Sequence, residues 1–329
     1  MADLELSLTI TPYDRVQPLI TGEVKPEGIT LRYTELPLQQ IWLRQLEGDE
    51  FDVSEMSFSF FLRGRPLGWG YRLLPIFHNR NFSYTRFVVR RGSGIRQGHP
   101  EDLRGKRVGV VDYQMSAAVW TKGILQHEFG VKPEDMEWFQ GREPLPIPGE
   151  KGAFQPPPGV TLHRAPKDLG TMLREADLDA ALAYGGDFGE IQVGSSDGPG
   201  LELLFPDVEQ EAIRYYRKSG IYPPHHVTIV RESIVEEHPW VARSLLDAFD
   251  KAKQLATERL FERPPTLLVF GTQWLQEQRA IFGDDPYVNG LQANAKALDL
   301  VQTFSMEQGL TARKQPWEEM FPKGVLDGA

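Results

Sequence analysis

The sequence predicts an α/β protein of two lobes with a cleft between them, joined by two crossover segments. Three observations carry this. Short apolar β segments alternate with helical stretches in two separate series, which is the βα rhythm of sheets covered by helices. Two strong β segments, 84–90 and 227–230, stand where the chain would leave one series and later return to it. With 329 residues, 40% of them hydrophobic, the chain is long enough for two cores. The division reads as lobe I over 1–90 plus 225–329, discontinuous, and lobe II over 91–224.

In order, residues 5–10 alternate apolar with polar side chains as a half-buried strand does. Further strands are expected at 29–34, 51–53 and 73–77, with helices at 15–20 and 38–46, giving a parallel sheet. The β segment 84–90 follows, and Gly92, Gly94 and Gly98 then break the chain. A second series opens with Leu103 to Val108 and continues through a helix at 117–128, a strand near 137–139, a helix at 167–174 and a strand at 178–184. Between them lies 141–160, whose six prolines rule out a regular element and read as an extended arm or an ordered surface loop. After 227–230 comes a mostly helical tail. There Trp240, Leu245, Leu246 and Phe249 recur at near-helical spacing and read as core.

Composition excludes several classes of function. Acidic residues outnumber basic ones 46 to 36, for a net charge of −10, which argues against a nucleic-acid partner. No cysteine is present, so disulfides, thiolate zinc sites and cysteine nucleophiles are out. The start of the chain has neither a basic region nor a continuous apolar run, and no segment approaches the ~20 apolar residues that cross a bilayer. A soluble, cytoplasmic protein with no membrane partner is the expectation. Phosphate-binding and dinucleotide glycine motifs are missing, as is a Ser-His-Asp nucleophile elbow. The seven histidines lack metal-ligand spacing, so no metal site is assigned. A divalent ion held by His78, His226 and Glu55 across the cleft stays open, and so does a homo-oligomer.

The richest local signal is Lys106-Arg107-Val108-Gly109-Val110-Val111-Asp112-Tyr113-Gln114-Met115-Ser116-Ala117-Ala118-Val119-Trp120, a strand running through a polar turn into a helix. Free N–H groups and the positive end of the helix dipole favour an anion there. Tyr113, Gln114 and Ser116 would add hydroxyl and amide donors. Ligand groups in open α/β sheets gather at strand carboxyl ends. Tyr13, Asp14 and Arg15 leave the first strand; Arg15 could grip a carboxylate in two-pronged fashion, or Asp14 could simply cap the next helix. Ser54, Glu55, Met56 and Ser57 end another strand, and Glu55 is an acid or base if half-buried, or a helix-start carboxylate without duty. His78, Asn79, Arg80, Asn81 and Phe82 precede the outgoing crossover, with Arg80 favoured over His78 as the cleft-facing group. His225 and His226 precede the returning strand. Asp187, after Tyr184-Gly185-Gly186, could accept from a hydroxyl, unless the glycines only turn the chain.

Taken together, Thr11-Pro12-Tyr13-Asp14-Arg15, Phe51-Asp52-Val53-Ser54-Glu55-Met56-Ser57, Asp102-Leu103-Arg104-Gly105-Lys106-Arg107-Val108-Gly109-Val110, Tyr113-Gln114-Met115-Ser116-Ala117-Ala118-Val119-Trp120 and the histidine before the returning strand resemble the 4,5-dihydroxyphthalate decarboxylase family. That family is similar to two-lobed periplasmic solute-binding proteins of type II. The resemblance covers nearly the whole chain. It implies loss of CO2 from a dihydroxylated aromatic diacid, a small aromatic carboxylate, without an organic cofactor, and it favours His226 for proton transfer. Direct loss of CO2 from an arene leaves an unstabilised carbanion. Protonating the ring carbon that bears the carboxylate, with push from a para hydroxyl, is easier, and each such proton transfer contributes roughly 10²–10⁴-fold. On this reading His226 with Glu55 or Asp187 moves protons, while Tyr13, Arg15, Ser57, Arg80, Phe82, Tyr113, Gln114 and Ser116 bind substrate. The rival is a non-catalytic solute-binding protein for an aromatic or heterocyclic acid.

Overall fold

The computed structural model describes residues 3–152, 154–183, 200–263 and 267–326. The chain first builds β1 (Leu4–Thr9), α1 (Gln17–Ile20), β2 (Ile29–Tyr33), α2 (Leu38–Gly48), β3 (Val53–Ser57), α3 (Phe58–Gly64) and β4 (Tyr71–Phe77). It then crosses to β5 (Phe87–Arg90), β6 (Arg107–Val110), α4 (Ser116–Phe129), β7 (Glu137–Gln140), β8 (Thr161–Arg164), α5 (Leu169–Arg174), β9 (Ala180–Leu182), β10 (Leu201–Leu203) and α6 (Val208–Ser219). The returning strand is β11 (His226–Arg231). After it come α7 (Glu232–Glu237), α8 (Trp240–Glu262), α9 (Gly271–Phe282), α10 (Leu291–Glu307), α11 (Trp317–Met320) and α12 (Lys323–Leu326).

Two sheets result, ordered β2-β1-β3-β11-β4 and β10-β5-β9-β6-β7-β8. Neither is wholly parallel, which corrects the sequence expectation. β1 pairs parallel with β2 and β3, but β11 runs antiparallel to both β3 and β4 and separates them. A strand that comes back from the other lobe enters from the opposite end of the sheet. For the same reason β5, arriving from the first lobe, is antiparallel to β9 and β10. Because β5 is already hydrogen-bonded in the second sheet, the outgoing crossover is complete before residue 87. Residues Ser83–Arg86 form a 3-10 turn rather than the start of a strand.

Each sheet has its own buried side chains, with Leu6, Leu8, Val53, Met56 and Leu73 in the first and Val88, Val108, Val110, Trp138 and Ala180 in the second. The tail ties the lobes together, since α10 lies on α4. At their contact a Cβ on Gly123 would sit 2.2 Å from the Phe304 ring, so only glycine admits that approach. Leu245, Leu246 and Phe249 are core as expected. Trp240 is not: it is 44% exposed and lies across Gly28.

Candidate active site

Strand register alone brings the central residues together. In the β3–β11 pair Ser57 lies opposite His226 and Glu55 opposite Thr228. Side chains two apart share a face of a strand, so all four project from one side at the carboxyl end of β3. Glu55 and His226 are diagonal neighbours, within reach for long side chains. His226 Nδ1 meets Glu55 Oε1 at 2.6 Å, and Trp42 stands edge-on to the imidazole at 5.0 Å between ring centroids.

Glu55 is fully buried and takes three donors. Its Oε1 also accepts from the Tyr13 hydroxyl at 2.8 Å, and its Oε2 from the Thr11 N–H at 2.9 Å. Burial pushes its carboxyl up, but the hydrogen bond and charge of His226, with the Thr11 N–H, outweigh this and hold it down at about 2. An ionised carboxylate only accepts, so His226 Nδ1 carries the proton and Nε2 is the nitrogen left for a ligand. Burial, and then the same carboxylate, raise the Tyr13 phenol above its ordinary range, so it stays a donor. Both Glu55 oxygens are taken, and the bond to Nδ1 fixes the orientation of the imidazole.

His78 extends this network. Its Nε2 lies 2.6 Å from Thr228 Oγ1, and its ring stacks on Tyr13 at 5.7 Å and 7°. Burial pushes it down to about 4, so it stays neutral. Arg15 donates from Nη2 to the His78 carbonyl at 2.8 Å and lies between the Tyr13 and Tyr287 rings, at 4.3 and 4.2 Å. Its side chain is 14% exposed, on a cavity of about 200 Å³ shared with Lys253 and Tyr287.

The second lobe contributes hydroxyls. Ser116, the first residue of α4, places its Oγ 2.8 Å from Ser57 Oγ and accepts from the Ser59 N–H at 2.9 Å. Ser59 Oγ donates to the Gln114 carbonyl at 2.7 Å. The Gln114 Oε1 is buried without a hydrogen-bond partner among the described residues. All four residues are buried.

Four sequence expectations are corrected here. Arg80 is spent on the fold: it donates to the carbonyls of Tyr222 and Val288 and to Asn294 Oδ1, at 2.9, 2.9 and 2.6 Å. His78, the less favoured of the two, is the one that joins the Glu55 network. Phe82 stacks on Tyr222 and faces a separate cavity lined by Trp274 and Phe282. The Tyr113 ring packs on Trp138 and Phe154 inside the second lobe, with the Lys122 amine 3.0 Å above it, and its hydroxyl makes no hydrogen bond among the described residues. Asp187 and Tyr184 lie outside the described residues. His225 is buried and bonded to the Asn81 backbone, so the histidine paired with the carboxylate is His226. Among the described residues no three His, Asp or Glu side chains converge as metal ligands, and no helix is long and apolar enough to cross a membrane.

Sequence reasoning missed Trp42, Ser59, Thr228 and the Thr11 N–H. Ser59, two residues past Ser57, is the one with a signal: it continues the polar alternation of Ser57 at a strand end.

No protein-family model matches the chain. Among solved structures it is similar to the periplasmic aliphatic sulphonate binding protein SsuA of Escherichia coli (12% identity, TM-score 0.53, 98% of this chain and 99% of that one). It is also similar to the desulfurization enzyme DSZB (15%, TM-score 0.51, 98% of each). At those identities the likeness fixes the fold, the two-lobed periplasmic-binding-protein type. Curated relatives are closer. The 4,5-dihydroxyphthalate decarboxylase of Comamonas testosteroni is 30% identical over 334 residues, 99% of both chains. That of Pseudomonas putida is 31% identical over 185 residues, 55% of this chain and 71% of the relative. On full-length identity joined to the interlobe site, the chain belongs to the 4,5-dihydroxyphthalate decarboxylase family.

Proposed function

We propose that this protein is a carboxy-lyase that converts 4,5-dihydroxyphthalate, or a close analogue, to protocatechuate and CO2, with His226 as the proton-transfer residue. The observation that carries the assignment is an imidazole whose Nδ1 is pinned to a buried, ionised carboxylate. Glu55 stabilises the imidazolium, and the Nε2–H is delivered to the ring carbon bearing the departing carboxylate. The hydroxyl para to that carbon gives up its proton as charge moves into the ring. When CO2 leaves, the C–C electron pair restores the arene and the phenolate takes a proton back, so one proton is consumed overall. Ser57, Ser116 and Gln114, with the N–H groups that open α4, supply neutral donors to the substrate's oxygens. Burial of these groups keeps water away from the departing carboxylate, which favours neutral CO2.

Incubation with 4,5-dihydroxyphthalate, following CO2 and protocatechuate together, tests the reading. Stoichiometric release of both is expected. Tight binding without turnover would place the protein with non-catalytic solute binders of the same fold.

A further inference from the structure

A diacid brings two carboxylates; among the described residues the serine cluster has neutral donors only, and Arg15 donates to the His78 carbonyl and lies between two tyrosine rings. Arg80 is tied to backbone carbonyls of fixed structure. Arg63 is different. It lies on α3 one turn beyond Ser59, and long helical side chains lean toward the helix start. Its side chain is 3% exposed. Its one hydrogen-bonding partner among the described residues is Glu150, from the proline-rich arm, both of whose oxygens sit on Nη2, at 2.6 and 2.7 Å. Nε and Nη1 make no hydrogen bond among the described residues, so the guanidinium fork is only partly used. Phe154, on the same arm, lies under the guanidinium at 5.7 Å and stacks on Tyr113, which precedes Gln114 in the second lobe. The arm is seated tightly at this point: Gly149 has φ +80°, and a Cβ there would fall 2.7 Å from the Leu67 carbonyl.

We propose that Arg63 holds the carboxylate the substrate keeps, and that Glu150 occupies Arg63 as a tethered carboxylate until substrate replaces it. A buried cation stripped of its anion is costly. Exchange of one carboxylate for another avoids that cost and couples entry of an acid to release of the arm. The proposal rests on the aromatic-diacid reading above and assigns its specificity to one residue.

The test is titration of the intact protein with protocatechuate, which retains that carboxylate, and with catechol, which has none. Arg63→Gln should weaken protocatechuate about 10- to 100-fold, the loss of a charge-assisted bond, and leave catechol unchanged. Glu150→Gln should tighten protocatechuate about 3- to 10-fold, because a competitor for the competent state is removed. A gain in affinity cannot arise from misfolding, and Arg63→Lys, keeping charge without the fork, should fall between. If Arg63→Gln and Glu150→Gln weaken binding alike, the pair is only a strap and the proposal is overturned. If wild-type protein turns over the diacid but Arg63→Gln binds protocatechuate normally, Arg63 is wrong and the decarboxylase reading stands. If wild-type protein binds neither the diacid nor protocatechuate, that reading falls and the proposal with it.

Discussion

The two faces of the cleft are built on opposite electrostatic plans. The first lobe presents a carboxylate–imidazole pair, Glu55 and His226, with Tyr13 and Thr11 donating to the carboxylate and His78 and Thr228 behind it. The second presents Ser116, Gln114 and a helix start, neutral groups that find partners across the cleft in Ser57 and Ser59. The contrast separates two jobs. Groups whose protonation must be set before substrate arrives are anchored on one sheet by strand register, independent of lobe closure. The serines and Gln114, which recognise oxygen atoms, are neutral, so burying them when the lobes close carries less desolvation cost than burying a charge.

The largest effect that would break this division falls on the charged side. His226→Gln should lower kcat about 10²- to 10⁴-fold while substrate affinity, measured by titration, changes little. Turnover within a few-fold of wild type would move proton transfer off the first lobe.

Arg80→Met comes next and sharpens the boundary between site and scaffold. Each charge-assisted hydrogen bond lost is worth about 1.5–3 kcal/mol, and Arg80 makes three. Urea unfolding should therefore show a loss of several kcal/mol, with kcat per folded molecule retained. The difference between Arg80 and His78 is also where sequence reading reached its limit. The run His78-Asn79-Arg80-Asn81-Phe82 is evidently polar and near the cleft, but it does not say which side chain turns inward. That is decided by contacts distant in sequence: Thr228 for His78, and Tyr222, Val288 and Asn294 for Arg80.

Tyr13 and Ser57 were legible because they follow or close a strand, whose carboxyl end is where ligand groups collect; Ser116 opens the helix after β6, Glu55 is an acid within β3, and His226, which opens β11, was singled out by the family resemblance. Arg63 was not legible, since it follows the unbroken apolar run Phe58 to Leu62, apart from Ser59, and its partner is 87 residues away. The strands of the fold divide in the same way. β1 and β2 show the alternation of half-buried strands, whereas β8 has three of four residues exposed and carries no such pattern. Antiparallel entry of β5 and β11 is a property of the crossovers, which no local window of sequence contains.

Glu55→Gln probes the charge itself. The amide still accepts the Nδ1–H but carries no charge, and exchange of a charge-assisted hydrogen bond for a neutral one should lower kcat about 10-fold. Stability should respond in acid. The Glu55 carboxyl, held at about 2 in the fold against an ordinary 4.5, contributes fully above pH 4.5 and loses that contribution as pH falls toward 2. The variant should flatten that acid limb in urea titrations at stepped pH.

The smallest effect lies on the neutral side. A double-mutant cycle of Ser57→Ala and Ser116→Ala should give a coupling of about 0.5–1.5 kcal/mol, the net worth of one neutral hydrogen bond. If these hydroxyls act across the cleft, the coupling belongs to closure, and it should appear in KM and ligand affinity with kcat nearly constant. A coupling that appears instead in kcat would mean that Ser57 or Ser116 helps set the protonation state beside His226. The clean separation of charged chemistry on one lobe from neutral recognition on the other would then fail at the contact where the two lobes meet.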